Sequence, residues 1–243
     1  MLSNIRFVLI NTSHPGNIGA VARAMKNMRL EQLYLVDPQK FPSTVATARA
    51  SGAIGILEKA TVCETVSEAI KGCSLVLGTS ARLRTIAWPQ MDARMSAEKI
   101  VAEKKGSQIA ILFGREHSGL TNEELELCHY LVHIPCNPDF SSLNIAAAAQ
   151  VIAYEILMAS QNRPTEIERE VIGAEDDWAT SGEVERFYSH LESVLIETGF
   201  LDPSNPRLLM RKLKRLYQRA RLEKNEVNIL RGILTAVQRV TKK

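Results

Sequence analysis

The sequence predicts an α/β fold: a mostly parallel sheet with helices on both faces, followed by a small all-helical C-terminal domain. Three observations lead there. Across residues 1–160, short apolar and β-branched runs alternate with segments of helical spacing, the pattern of a covered parallel sheet. Residues 161–182 then turn polar and acidic and contain Pro164, Gly173 and Gly182, which reads as a linker. From residue 183 onward only helical spacing remains, and the charge balance reverses.

The first strand is Ile5–Asn11, apolar and β-branched, and the polar Thr12-Ser13-His14 closes it. Asn17–Met28 has Ile18, Val21, Ala22 and Met25 on one side, the spacing of a helix packed on a sheet. Further strands are expected at Gln32–Val36, Ser74–Gly78, Gln108–Phe113 and His129–Ile134. Helical segments fall between them, around Val45–Ser51, Glu64–Lys71, Ser96–Lys105 and Glu123–Leu127. A long helix from about Ser142 to Ser160 follows the last strand, and Ala146–Ala149 in its first turns permit close backbone approach or simply favour helix. Beyond the linker, helices are expected at Glu183–Thr198, Arg207–Ala220 and Asn225–Val240, with Gly199 stopping the first and Pro203 and Pro206 turning the chain into the second.

With 243 residues, 45% of them hydrophobic, the chain can bury a substantial core. No apolar run reaches the roughly 18–20 residues of a membrane span, so a membrane partner is not expected, and Ile5–Ile10 reads as a strand rather than a signal peptide. The cysteines Cys63, Cys73, Cys128 and Cys136 form no Cys-x-x-Cys pair and suit reduced thiols in the cytoplasm. The net charge of +3 conceals an asymmetry. Residues 166–202 hold eleven acids and two bases, whereas residues 203–243 hold twelve bases and two acids. A basic tail suits a polyanion; a solvated helix face is the plainer reading.

The chemistry is sought beyond the carboxyl ends of the strands, where open α/β sheets hold ligands. Neither Gly-x-Gly-x-x-Gly nor a P-loop follows the first strand, which removes the ordinary dinucleotide and nucleoside-triphosphate readings. Three other segments stand out. Asn17-Ile18-Gly19-Ala20-Val21-Ala22-Arg23 opens a helix beside an arginine, an arrangement that suits a phosphate. Phe113-Gly114-Arg115-Glu116-His117-Ser118-Gly119-Leu120 sets two glycines around charged residues, where backbone can approach a flat ligand. Ile134-Pro135-Cys136-Asn137-Pro138-Asp139-Phe140-Ser141-Ser142-Leu143-Asn144 is a stiff loop in which Ser141 or Ser142 can cap the long helix and aim a hydroxyl at a ligand. Each has a plain alternative as an ordinary helix entry or capped turn. His129 and His133 stand four apart on an expected strand, so no metal site is expected.

In this order the three segments resemble the motif set of the trefoil-knotted SPOUT methyltransferases, Asn-x-Gly-x-x-x-Arg, Phe-Gly-x-Glu-x-x-Gly-Leu and Ser-Leu-Asn, the last continuing to Tyr154-Glu155. Gly78-Thr79-Ser80-Ala81-Arg82-Leu83-Arg84 with Trp88-Pro89, and the tail Leu209–Leu213 and Asn228–Leu234, resemble the TrmJ branch of that family, so the likeness covers nearly the whole chain. That branch methylates the 2′-hydroxyl of cytidine or uridine 32 in the tRNA anticodon loop.

The resemblance implies a deep C-terminal trefoil knot, a homodimer, tRNA as partner and S-adenosylmethionine as cofactor. It implies a cofactor pocket of Thr79, Ser80, Ala81, Gly114, Ile134, Ser141, Ser142 and Leu143. It assigns catalysis to Arg23, Glu116 and Ser142, and RNA contacts to His14, Arg82, Arg84, Arg211, Lys214 and Arg215. The methyl is already activated on a sulfonium, so no metal is required; the enzyme must align the hydroxyl and help remove its proton. In the family that help falls to the residue matching Arg23, acting with a substrate phosphate. A free guanidinium keeps its proton, so Arg23 can instead orient the phosphate and stabilise a developing alkoxide. Glu116 would position Arg23 or the loop, and His14 is a second base candidate. The resemblance also accommodates an enzyme acting on ribosomal RNA or another tRNA position, against which the tail argues. A non-catalytic RNA-binding protein on a decayed methylase fold is opposed by the presence of Arg23, Glu116 and Ser142.

Overall fold

A computed structural model describes residues 2–80, 89–103, 106–161, 177–206 and 208–241. It divides into two units, residues 1–175 and 176–243. The first is a seven-stranded sheet in which every pairing is parallel. Its strands are β1 (Ile5–Ile10), β2 (Gln32–Val36), β3 (Thr61–Cys63), β4 (Cys73–Thr79), β5 (Gln90–Asp92), β6 (Gln108–Phe113) and β7 (Tyr130–His133), in the order β3-β2-β1-β6-β4-β7-β5. The helices are α1 (Pro15–Asn27), α2 (Thr44–Ala50), α3 (Ile54–Glu58), α4 (Val66–Ala69), α5 (Ala93–Ala102), α6 (Asn122–Leu125) and α7 (Ile145–Gln161).

The near-continuous apolar runs of the central strands arise because both faces of the sheet are buried. Side chains alternate between two cores. Phe7, Leu9, Ile109, Ile111 and Phe113 face α1, α5 and α7, whereas Val8, Ile10, Ala110 and Leu112 face the side that holds Ile70, Leu125 and Cys128. Each of the larger of these side chains contributes about 1.5–3 kcal/mol on burial. On the first face α7 packs against both α1 and α5, and Arg94 of α5 meets Glu155 of α7 at 3.6 Å.

The two strands absent from the sequence reading, β3 and β5, are three-residue edges of the sheet whose side chains are mostly exposed. They carry no hydrophobic alternation to read. Residues 81–88, which include Ala81, Arg82 and Arg84, lie outside the described residues.

The second unit consists of α8 (Ser181–Glu197), α9 (Leu209–Ala220) and α10 (Lys224–Thr241) around Phe187, Tyr188, Leu191, Val194, Val227 and Leu234. Its start differs from the expected 183. Ala179 N–H bonds Leu222 O at 2.9 Å, Arg221 stacks 4.5 Å over Trp178, and Thr180 with Glu183 forms a capping box for α8. Residues 177–182, read as linker from their polarity, therefore belong to this unit. Gly199 takes φ +72° just past α8, as expected of a helix stop. Among the described residues, no helix is long and apolar enough to cross a membrane.

Candidate active site

The strand order explains why three segments far apart in sequence form one site. β1, β6, β4 and β7 are neighbours and parallel, so the loops after each leave from the same edge of the sheet. The end of β4 is held there by two bonds. Thr79 Oγ1 donates to Leu112 O at 3.0 Å, and Ser80 N–H donates to Val132 O at 3.0 Å.

The loop after β6 turns back on itself through paired bonds between Arg115 and Gly119, at 3.1 and 2.9 Å. Gly114 is required by that crossing: a Cβ there would stand 2.2 Å from the Gly119 carbonyl carbon. Gly119 sits at φ +69°, a conformation glycine adopts freely. Arg115 is turned toward α6. Its Nη1 lies 3.0 Å from both carboxylate oxygens of Glu124, and Glu124 also accepts from Thr121 N–H at 2.7 Å. The pair clamps the loop to α6.

Glu116 joins the first segment to the second. Its Oε1 accepts from Asn17 Nδ2 at 2.9 Å and His14 N–H at 3.4 Å; its Oε2 accepts from Ser13 Oγ at 3.1 Å and Ser13 N–H at 3.3 Å. Burial alone would raise its pKa. The bonds from Asn17 and from the backbone amides of Glu116, Ser13 and His14 outweigh burial and hold the carboxyl below its ordinary value. The anion at the start of α1 is thus supplied by the protein itself, where the sequence suggested a substrate phosphate. Among the described residues no hydrogen bond or ion pair joins Glu116 to Arg23; the bonds of Glu116 go to Ser13, His14 and Asn17.

Asn17 continues the network, accepting from Asn144 Nδ2 at 3.1 Å. Asn144 also caps α7, its Oδ1 accepting from Ala146 N–H at 2.8 Å and its carbonyl from Ala148 N–H at 2.9 Å. Ser141 and Ser142 precede the helix and do not cap it. The helix begins later than expected, which leaves both serines exposed on the loop.

α1 begins at Pro15 with His14 as its cap, Nδ1 accepting from Gly16 N–H at 3.1 Å. Gly19 consequently lies inside the helix and does not open it. It is small because α2 crosses there: a Cβ would fall 2.0 Å from Ala46 O. Arg23 lies about two turns into α1, exposed, with no hydrogen bond or ion pair to a described residue.

The ends of β4, β6 and β7 and the loops that follow β6 and β7 enclose a pocket open to solvent, with a cavity volume of about 140 Å³. Thr79, Ser80, Gly114, Ile134, Ser141, Ser142 and Leu143 line it, and Glu116 reaches it too. Phe113, His117, Ser118, Val132, Cys136 and Ala148 also contribute. Val132 and Ala148 fall on the last strand and the long helix in the sequence, where an apolar residue looks the same facing a pocket or a core. Arg23 and His14 stand outside the pocket wall.

In the second unit, Arg211, Lys214 and Arg215 on α9 are half-buried, and Lys214 Nζ lies 5.9 Å over the Tyr188 ring. Burial, and to a lesser extent the neighbouring Arg219, lowers the pKa of the Arg215 guanidinium from its ordinary value. Lys212 and Arg219 are the exposed cations of the same helix.

Comparison with known proteins agrees with this arrangement. Residues 4–154 match the SpoU rRNA Methylase family, and residues 182–243 match the tRNA methyltransferase TrmJ C-terminal domain. This chain belongs to the SpoU methylase family. It is a methyltransferase of the SPOUT class and TrmJ type. It is 53% identical to a tRNA (cytidine/uridine/adenosine-2′-O-)-methyltransferase TrmJ of Pseudomonas aeruginosa, covering 100% of this chain and 96% of the relative. It is 50% identical to the Escherichia coli K12 tRNA (cytidine/uridine-2′-O-)-methyltransferase TrmJ, covering 100% and 98%. The crystal structure of TrmJ from Z. mobilis ZM4 superposes with TM-score 0.83 at 31% identity, covering 96% of this chain and 98% of that one. In this SpoU methylase the matched family spans the whole sheet and all three loops, so the pocket lies within the matched region.

Proposed function

We propose that this methylase transfers a methyl group from S-adenosylmethionine to the ribose 2′-hydroxyl of nucleotide 32 in the tRNA anticodon loop, acting as a cytoplasmic homodimer. The observation that carries this reading is the meeting of the second and third motif loops around one pocket, with the first motif tied to them through Glu116 and Asn144, in a chain whose full length matches TrmJ relatives. The relatives' names place the reaction on tRNA ribose and differ in the bases accepted: cytidine and uridine in one, adenosine as well in the other.

The residues present fit the cofactor. Phe113, Leu120, Val132, Ile134 and Ile145 supply an apolar wall for a flat base, and Thr79, Ser80, Ser141 and Ser142 bring hydroxyls to its edge. We assign cofactor binding to Thr79, Ser80, Gly114, Ile134, Ser141, Ser142 and Leu143, together with Ala81. When bound, S-adenosylmethionine supplies a methyl already activated for displacement. The protein's part is alignment and charge. Glu116, through Asn17 and Asn144, sets the first and third loops against each other, and Ser142 stands on the pocket wall. Arg23 is free to take the phosphate beside the reacting ribose and to stabilise the oxygen as its proton leaves.

Two further features support the reading. The cations of α9 offer a phosphate-binding face, and we assign Arg211, Lys214 and Arg215 to it; His14, Arg82 and Arg84 are assigned to RNA contact as well. α7 carries a single charge, Glu155, yet leaves Ala147, Val151 and Tyr154 exposed along one side. A helix apolar all round is normally covered, and a second copy of the chain would cover it. The test is methyl transfer to unmodified tRNA transcripts, with the alkali-resistant ribose mapped afterwards. A methylated 2′-oxygen at position 32 supports the proposal. Labelling confined to another tRNA position or to ribosomal RNA overturns the assigned target.

A further inference from the structure

The loop between β7 and α7 does more than line the pocket. Pro135 and Pro138 restrict its backbone. Phe140 N–H closes a turn on Asn137 O at 2.9 Å, and Asp139 N–H bonds Asn137 Oδ1 at 3.1 Å. Cys136 on one side of this turn and Ser141 to Leu143 on the other line the pocket. The turn therefore stands on the pocket's rim, and its outermost large side chain is Phe140.

Phe140 is 79% exposed, as is Phe200 at 68% in the second unit, while Phe7, Phe113 and Phe187 are fully buried; of the two exposed rings, Phe140 is the one beside the pocket. A stiff turn that holds an aromatic ring in water beside a ligand pocket presents a face to something. The ring stands outside the pocket wall although its neighbours line it, which leaves it open to a molecule that approaches the mouth. Asp139 beside it is an exposed carboxylate, which disfavours a phosphate contact and leaves a base as the partner. Stacking on an aromatic face accepts every base, because each has a π-face.

We propose that Phe140 is a stacking platform for the base of the target nucleotide, or of its immediate neighbour, and that it positions the ribose by its base without reading the base's identity. This rests on the function proposed above and deepens it: tolerance for more than one base follows from recognition by stacking. Phe140 is a positioning residue, and the rest of the tRNA is held elsewhere. Its loss is therefore expected in kcat rather than in tRNA affinity.

The test uses the full chain, an unmodified tRNA transcript and S-adenosylmethionine, with variants Phe140→Ala, Phe140→Leu and Phe140→Trp. Stacking predicts that alanine and leucine both lower kcat about five- to a hundredfold, while tRNA and cofactor affinities and the dimer fraction stay within twofold. The Phe140→Trp variant retains most of its turnover, and its fluorescence, after subtraction of the wild-type signal from Trp88 and Trp178, is quenched saturably by the transcript. Wild-type turnover in Phe140→Leu would show that apolar bulk alone suffices and would overturn the proposal. So would a loss of cofactor affinity, which places the ring over the cofactor, or a loss of dimer, which places it between copies. If the wild-type chain itself transfers no methyl to tRNA, the functional reading fails first, and the stacking role with it; a wild-type chain active beside an equally active Phe140→Leu variant sinks the stacking role alone.

Discussion

Replacing Glu116 by glutamine removes one acceptor and inserts two N–H donors where every backbone partner is itself a donor. If the new amide nitrogen takes the place of Oε1, it confronts the N–H of His14 and Nδ2 of Asn17; if it takes the place of Oε2, it confronts the N–H of Ser13. Either way at least one backbone N–H loses its partner, and a charge-assisted bond becomes neutral. A buried orphan costs about 1–3 kcal/mol. The site is only half-buried, so water recovers part of this and we expect about 1–2 kcal/mol. For a unit of this size that lowers Tm by about 3–6 °C. The deficit depends on pH. The folded-state pKa of Glu116 is lowered, so the wild-type advantage is complete above the ordinary value of 4.5 and disappears as pH falls through the folded value. Thermal melts of wild type and Glu116→Gln from pH 7 to pH 3 would show it. A Tm gap that stays constant across that range would mean the ionised carboxylate is not what holds the two loops together.

Three further outcomes follow from the same geometry. Gly19→Ala should destabilise the first unit by about 1–3 kcal/mol through overpacking, because the neighbour is the Ala46 carbonyl at 2.0 Å, whereas Gly55→Ala, with nothing within 4 Å, should be neutral or slightly stabilising in the same calorimetric comparison. Deleting residues 177–243 should weaken tRNA binding and flatten its salt dependence, since phosphate contacts release counterions, and leave cofactor affinity unchanged; an unaltered salt slope would take RNA binding away from the second unit. Arg23→Ala should suppress methyl transfer with cofactor binding intact. When it is mixed with a Ser142→Trp chain and the subunits exchange, activity should return to roughly a quarter of wild type if Arg23 serves its partner's site, and no recovery after confirmed exchange would place Arg23 in its own protomer.

Much of the fold is legible in the sequence because its signals are local. The β-branched runs at Ile5–Ile10, Gln32–Val36 and Gln108–Phe113 are strands in the structure, and the Ile18, Val21, Ala22, Met25 spacing is the buried face of α1. The basic tail and the three loops were equally readable, since charge and motif order need no third dimension. Tertiary structure alone decided the rest. The edge strands β3 and β5 exist by pairing with a neighbour, since their own side chains carry no pattern. Gly19 suggested a helix entry from its place in the motif, but its smallness answers to Ala46 across a helix crossing. Ser142 suggested a cap, but Asn144 performs that role. Glu116 sits at the start of α1, 99 residues from its partner Asn17, and Asn17 meets Asn144 across 127. Periodicity reports which way a side chain faces within its own element. Which donor meets which acceptor is set by the order of strands in the sheet, and that order is fixed by packing both faces at once.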